Sequence, residues 1–300
     1  MKLTPSCLAC ILASRALDIE KSIGDDAERL AVFHDVVNTV NLYTGPHIEL
    51  ALTATMSYKR LLASTRRSIY SLEEKERRYR VAAEAARTIR GMLKTVEKEG
   101  ERLRLALIAS ALATRMQPGP HFLVASPEPP HAVDVVGARM GIDDSDAVAA
   151  LLHGSPHVFY LTGSVDELPY DEILLEILRE EYGARITLVV RGSEFQNFVT
   201  KDDLGYSAAR SLADEILVTG DGEATILPEE AGFIYERLKE ADLLVAKGLL
   251  QTLYFYNNPV QVDTLSLLYV PCMVGERVLK VPRNTVNVVL HRRGGEEGGE

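Results

Sequence analysis

The chain has 300 residues, 46% hydrophobic and 25% charged, and its 43 acidic against 33 basic side chains give a net charge of −10. That balance argues against a protein that holds nucleic acid by neutralising phosphates, and no apolar run reaches the about 18 residues expected of a membrane-spanning helix. The length permits one large domain or two modest ones, either able to bury a sizeable core.

The chain opens MKLTPSCLACILASRAL. Its short apolar stretch invites comparison with a signal peptide, but Arg15 and Asp18 follow inside a continuing helical pattern, so a folded helix and cytoplasmic residence are expected. Thr4-Pro5 forms an N-cap and N1 pair, and Cys7, Cys10, Ile11 and Ser14 share one helical face. Residues 27–43 repeat Leu30, Val32, Phe33, Val36, Val37 and Val40 at helical spacing. Ser71-Leu72-Glu73-Glu74 is a capping box that opens a charged helix. The basic pairs Arg66-Arg67 and Arg77-Arg78 lie near Glu73, Glu74 and Glu76 and read as a solvated, ion-paired face. Residues 4–115 thus read as all-helical, with Gly91 and Gly100 as candidate interruptions. Residues 117–131 hold five prolines and read as a linker or crossing segment, and residues 134–153 as a weaker helical stretch.

From His157 the pattern changes to short apolar runs alternating with helical ones. Strands are predicted at 157–161, 185–191, 215–219, 243–246, 265–270 and 286–291, and helices at 169–182, 201–213, 228–241 and briefly after Cys272. Such alternation implies parallel βαβ units, and mostly apolar strands imply a sheet covered on both faces. The fold class is therefore α/β: a helical N-terminal region followed by a layered, mostly parallel sheet with flanking helices. The expected organisation is a helical region over 1–116, a Pro-rich crossing segment and helix over 117–156, an α/β domain over 157–291 and a disordered tail over 292–300.

Only four Gln and seven Asn occur, and Trp is absent. Scarce amides with many charges suggest a thermophilic source, in which an internal disulfide is allowed. For Cys7 and Cys10, buried thiols, a disulfide and half of a zinc site all remain open. A disulfide within one helical turn is strained, and zinc needs more ligands than the three cysteines supply. The seven histidines form no metal motif, and neither a nucleophile elbow nor a phosphate-binding Gly-Lys loop is present.

In a doubly wound sheet, ligands bind beyond the strand carboxyl ends. Four loops fall there: Thr162 to Glu167, Arg191 to Phe198, Gly220 to Gly222, and Lys247 to Gln251. A glycine near each strand end lets backbone approach closely, and the cations Arg191 and Lys247 suggest an anion site. The alternative is that the glycines merely end strands and the cations pair internally, Arg191 with Glu167 or Asp171.

These loops, in this order, resemble the damage-control phosphatases, a family once called domain of unknown function 89, with an ARMT-like metal-binding domain spanning essentially the whole chain. The likeness is carried by Cys7-Leu8-Ala9-Cys10, by Gly163-Ser164-Val165-Asp166-Glu167 followed by Tyr170-Asp171, by Val190-Arg191-Gly192 with Asn197-Phe198-Val199-Thr200, by Thr219-Gly220, by Ala246-Lys247-Gly248, and by Pro271-Cys272-Met273. The resemblance implies a phosphatase acting on small phosphorylated metabolites, with Arg191 and Lys247 as phosphate contacts and one divalent metal held at the positions of Gly163, Ser164 and Phe198. None of those three supplies the carboxylate that a hard cation needs. A Gly-Asn-x-x-Asp element of the family falls on Ser110 to Thr114, and its polar residues after Lys-Gly become Leu249 and Leu250. The expectation is a non-catalytic homologue that binds a phosphometabolite or regulates, without a cofactor, through Arg191, Lys247, Asn197, Gly192, Gly248, Ser164 and Glu167. One alternative is an active enzyme with magnesium, manganese, cobalt or nickel relocated to Asp166 and Asp221. Another is an interaction protein with an empty pocket.

Overall fold

The computed structural model describes residues 4–119 and 128–293. The middle of the Pro-rich segment and most of the C-terminal tail lie outside the described residues. Five helices come first: α1 (Pro5–Ser22), α2 (Asp26–Leu42), α3 (Leu50–Thr65), α4 (Leu72–Leu93) and α5 (Glu99–Ala113). Their starts follow from local chemistry. Thr4 caps α1 by accepting from the Cys7 N–H, and Ser71 caps α4 by accepting from the Glu74 N–H. Gly91 lies inside α4 and Gly100 in the first turn of α5, so neither breaks a helix. On α4, Lys75, Ala82, Ala86, Ile89 and Leu93 form the buried stripe. By contrast α5 is buried from Leu105 through Ala113 on every side, as expected of a central helix.

Then follow α6 (Ala132–Val136), β1 (Met140–Asp143), α7 (Ser145–Leu151), β2 (His157–Leu161), α8 (Leu168–Glu180), β3 (Arg185–Val190), α9 (Ala209–Leu212), β4 (Glu215–Val218), α10 (Pro228–Leu238), β5 (Leu243–Lys247), α11 (Gly248–Asn257), β6 (Asp263–Val270), α12 (Met273–Leu279) and β7 (Thr285–His291). Two expectations need correction. The stretch 134–153 is not one helix: β1 interrupts it and pairs with β7. With only four residues, and a partner 146 positions away at Met140 and Val286, β1 has no local signal. The helix expected at 201–213 is a 3-10 turn, Asp202–Gly205, and the single turn α9. Asp203 accounts for the break, because its Oδ2 accepts from both the Thr200 N–H and hydroxyl at 2.8 Å, holding the chain in a turn.

The sheet order is β1-β7-β6-β5-β2-β3-β4, parallel except where β6 meets β7. Successive strand side chains point to opposite faces, and both faces are covered. Val158, Tyr160, Leu188 and Val245 pack with α4, α5 and α8, whereas Phe159, Leu161, Val189 and Leu244 pack with α1, α2, α3 and α10. The result is a three-layer α/β/α arrangement. Chain order reverses between β2 and β5: β3 and β4 extend to one side of β2, β5 and β6 to the other. That switch point opens a crevice at the strand carboxyl ends. Among the described residues, no helix is long and apolar enough to cross a membrane.

Leu107 in α5 is fully buried, whereas Leu30 in α2 is 70% exposed. Leu107→Ala should lower the free energy of unfolding by about 2–5 kcal/mol. Leu30→Ala should change it by no more than about 0.5 kcal/mol. Denaturant titration of both variants checks the assignment of core and surface.

Candidate functional site

The loop after β3 folds back against the loop after β2. Ser164 bridges Phe198, Arg191 bridges Thr200, and the Val165 N–H donates to the Asn197 carbonyl at 2.9 Å. This brings Gly163, Ser164 and Phe198 together. Two anchors hold the fold-back. The Glu194 carboxylate accepts from the Tyr58 and Ser68 hydroxyls and from the Ile69 and Tyr70 N–H groups. Lys75 of α4 donates to the Phe198 carbonyl and to Asp203, both at 2.8 Å.

Lys247, the last residue of β5, lies fully buried at the switch point. Its ammonium sits 2.8 Å from Asp171 Oδ1 and 3.5 Å from Glu167 Oε2, and donates to the hydroxyl and carbonyl of Ser110 on α5. The Ser110 hydroxyl donates to Asp171 at 2.7 Å and lies 3.1 Å from the Tyr160 hydroxyl. Glu167 Oε1 accepts from the Ser164 N–H at 2.7 Å and hydroxyl at 2.8 Å. Burial pushes the Glu167 carboxyl above its ordinary range, against the opposing pull of Lys247. A Cβ built on Gly163 would stand 2.4–2.6 Å from the Glu167 carboxylate. The Glu167 side chain therefore fills the volume that any side chain at position 163 would enter.

Arg191 is also fully buried. It donates to three carbonyls, Thr162 at 2.9 Å, Glu223 at 3.1 Å and Ala224 at 3.1 Å, and its guanidinium lies 5.1 Å from the Phe198 ring centroid. Burial lowers its pKa to about 10. The pairing with Glu167 and Asp171 considered for Arg191 is made by Lys247 instead. Asn197 donates its amide to Asp166, which also accepts from Arg78 Nε at 3.1 Å. Burial raises the Asp166 carboxyl against the pull of Arg78. Asp221 lies elsewhere in its contacts: it is largely exposed, accepts from Ser193 at 2.7 Å and faces Lys59 at 3.7 Å. Gly248, with φ of +77°, adopts a backbone conformation that favours glycine, and a Cβ there would strike the Gln117 amide. Gln251, after that turn, accepts from the Lys247 N–H and donates to the Thr162 carbonyl.

Beside this cluster lies a cavity of about 360 Å³ whose walls include Cys7, Cys10, Arg15, Gln117, Leu249 and Cys272. All three cysteines are free thiols, with Cys7 buried and Cys10 open to solvent. Cys10 keeps part of its surface in solvent, yet the protein on its cavity side, and then the neighbouring Cys272 and Cys7, push its thiol up to about 11. Among the described residues, no group of three or more His, Cys, Asp or Glu side chains is placed to hold a metal ion.

Sequence reasoning placed a family element on Ser110 only as a lost position, and did not single out Gln117 or Arg15 as site residues. The signal for Arg15 was present, since Cys7, Ile11 and Arg15 recur at four-residue spacing and all three are buried.

The mostly parallel sheet, the helical N-terminal region and the crevice where chain order reverses define a three-layer α/β/α protein. A profile of the damage-control phosphatase ARMT1-like domain matches residues 3–285, and the chain belongs to that family. It is 27% identical over 259 residues to a damage-control phosphatase of Archaeoglobus fulgidus, covering 83% of this chain and 85% of that protein. It is 23% identical over 281 residues to an uncharacterized protein of Methanocaldococcus jannaschii, covering 91% and 90%. A crystal structure of a DUF89 family protein from Pyrococcus horikoshii superposes with a TM-score of 0.82 at 19% identity, covering 96% of this chain and 99% of that one.

Lys247→Met should lower stability by about 3–5 kcal/mol, because it leaves Asp171 and Glu167 buried without their countercharge. Adding Asp171→Asn should recover part of that loss, read by denaturant titration. The Cys10 thiol makes a second expectation: its alkylation rate should still be climbing at about pH 10, where an ordinary thiol has levelled off. Peptide-resolved labelling across pH reads this directly.

Proposed function

We propose that this chain is a non-catalytic member of the damage-control phosphatase family, binding a small phosphorylated or related anionic molecule in the cleft at the switch point. The observation that carries this reading is the occupation of the metal positions. Where Gly163, Ser164 and Phe198 meet, the first offers no side-chain oxygen, the hydroxyl of the second donates to Glu167, and the third presents a phenyl ring. The carboxylates nearby, Glu167 and Asp171, face the Lys247 ammonium. A hard divalent cation needs several oxygen ligands with carboxylate charge, and a fixed ammonium within the same carboxylate pair repels it. The donor set does not fit the metal, and no hydrolytic step is derived through one.

In this reading Arg191, Lys247, Asn197, Gly192, Gly248, Ser164 and Glu167 build the loops behind the site and do not themselves line the cavity beside it. Arg191 and Lys247 hold loops together with their charged groups turned inward. Ligand contact falls to groups that line the open cleft. Asp166 and Asp221 engage separate partners, so the geometry gives no support to a relocated metal site between them.

The test is metal content and phosphate release measured on one folded sample, with magnesium, manganese, cobalt and nickel supplied in turn and an aryl phosphate and hexose phosphates as substrates. The expected result is no stoichiometric metal and no turnover above the metal-only blank. Turnover that a chelator removes would sink the reading. Its loss in Asp166→Ala or Asp221→Ala would then locate the working site.

A further inference from the structure

The cavity beside the switch point has walls of uneven chemistry. One side is apolar: Ile11 of α1, Leu249, Leu250 and Leu253 of α11, and Met273 and Val274 of α12. Arg15, one turn along α1 from Ile11, also reaches the wall. This guanidinium is 2% exposed, and its Nε and Nη1 have no hydrogen-bond partner among the described residues. Its other contacts are weak in direction. Nη2 donates to the Ser14 hydroxyl at 3.4 Å, Nη1 lies 3.5 Å from Asp18 Oδ2, and the group stacks 4.7 Å from the Tyr58 ring centroid.

Asp18 does not fully answer Arg15. Its carboxylate is shared, accepting from the Tyr70 hydroxyl at 2.8 Å and from the Gln196 amide at 3.3 Å. Burial also raises the Asp18 carboxyl above its ordinary range. A buried guanidinium with two idle donors is costly unless an acceptor meets them, and Arg presents its donors in a fork that fits an oxyanion.

We propose that this cavity binds an amphipathic anion, a small molecule with one phosphate or carboxylate head held by Arg15 and an apolar body packed on Leu249, Leu250 and Leu253. The inference rests on the reading that the cleft is a small-molecule site, and names its ligand class. The volume of about 360 Å³ is at the lower end of small-molecule sites. Sugar hydroxyls laid on the three leucines would lose their water partners and gain none, which disfavours polyols by the cost of unpaired hydrogen-bonding groups. Alkyl groups gain by the same burial.

Octyl phosphate, octanoate, octanol and a hexose phosphate, each below any aggregation concentration, are titrated into the full-length protein by calorimetry and thermal shift. Octyl phosphate and octanoate should bind, octanol should bind more weakly, and the hexose phosphate should not compete. Arg15→Gln should weaken octyl phosphate by roughly tenfold or more, as expected for lost charge-assisted hydrogen bonds, and leave octanol nearly unchanged. The wild type supplies a second readout, since Cys10 and Cys272 line the same cavity. Octyl phosphate should slow their alkylation, and the hexose phosphate should not.

Binding of the hexose phosphate alone would overturn the ligand class while leaving the cleft a small-molecule site. Binding of neither would overturn both readings. Equal affinity in Arg15→Gln, or unchanged thiol labelling at saturating octyl phosphate, would overturn the role of Arg15 or the location.

Discussion

The architecture turns on one buried cation. Lys247 ends β5 at the point where chain order reverses, and its ammonium joins two elements far from β5 in sequence: α5 through Ser110, and the start of α8 through Glu167 and Asp171. An ion fully removed from water is tolerable only with several close partners, so each of those elements is fixed relative to β5. The α5 helix is central to one layer, and α8 packs against it. Lys247 thus adds a directional tie to a layer that also rests on a large apolar core.

The same constraint explains the chemistry of the cleft. A glycine at 163 leaves room for the Glu167 carboxylate to fold toward Ser164 and Lys247. Phe198 closes the other side over Arg191. The loops at these strand ends therefore enclose an interior whose charges pair with one another. The neighbouring cavity takes its polar character from Ser14 and Arg15 of α1, from Gln117, and from Gln196 in the loop after β3.

Much of the fold was legible because it rests on local signals. Thr4-Pro5 and Ser71 marked helix starts through their own side chains, and six strands announced themselves as short apolar runs, four of them closed by a glycine. What was hidden depended on distant partners. Four-residue β1 exists because β7 offers it an edge, and the helix expected after Thr200 gives way to the Asp203 carboxylate. At the site, the sequence located the loops and the convergence of Gly163, Ser164 and Phe198. It could not tell that Lys247 rather than Arg191 takes the carboxylates, since both cations occupy equivalent strand ends. Arg15 was passed over because a charge within an apolar helix reads as its polar face until tertiary packing buries it.

The placement of β7 has a consequence for how the chain is made. Among the described residues helices α1 to α5 precede every strand, and α4 and α5 bury apolar residues against the sheet. β1 and one edge of β6 both pair with β7, the last element among the described residues. Until those final residues emerge, the nascent chain presents apolar helix faces together with two unpaired strand edges, the combination that invites association with other chains. Completion of the last strand is therefore the step that converts a sticky intermediate into a closed sheet, and a product truncated before β7 keeps both liabilities.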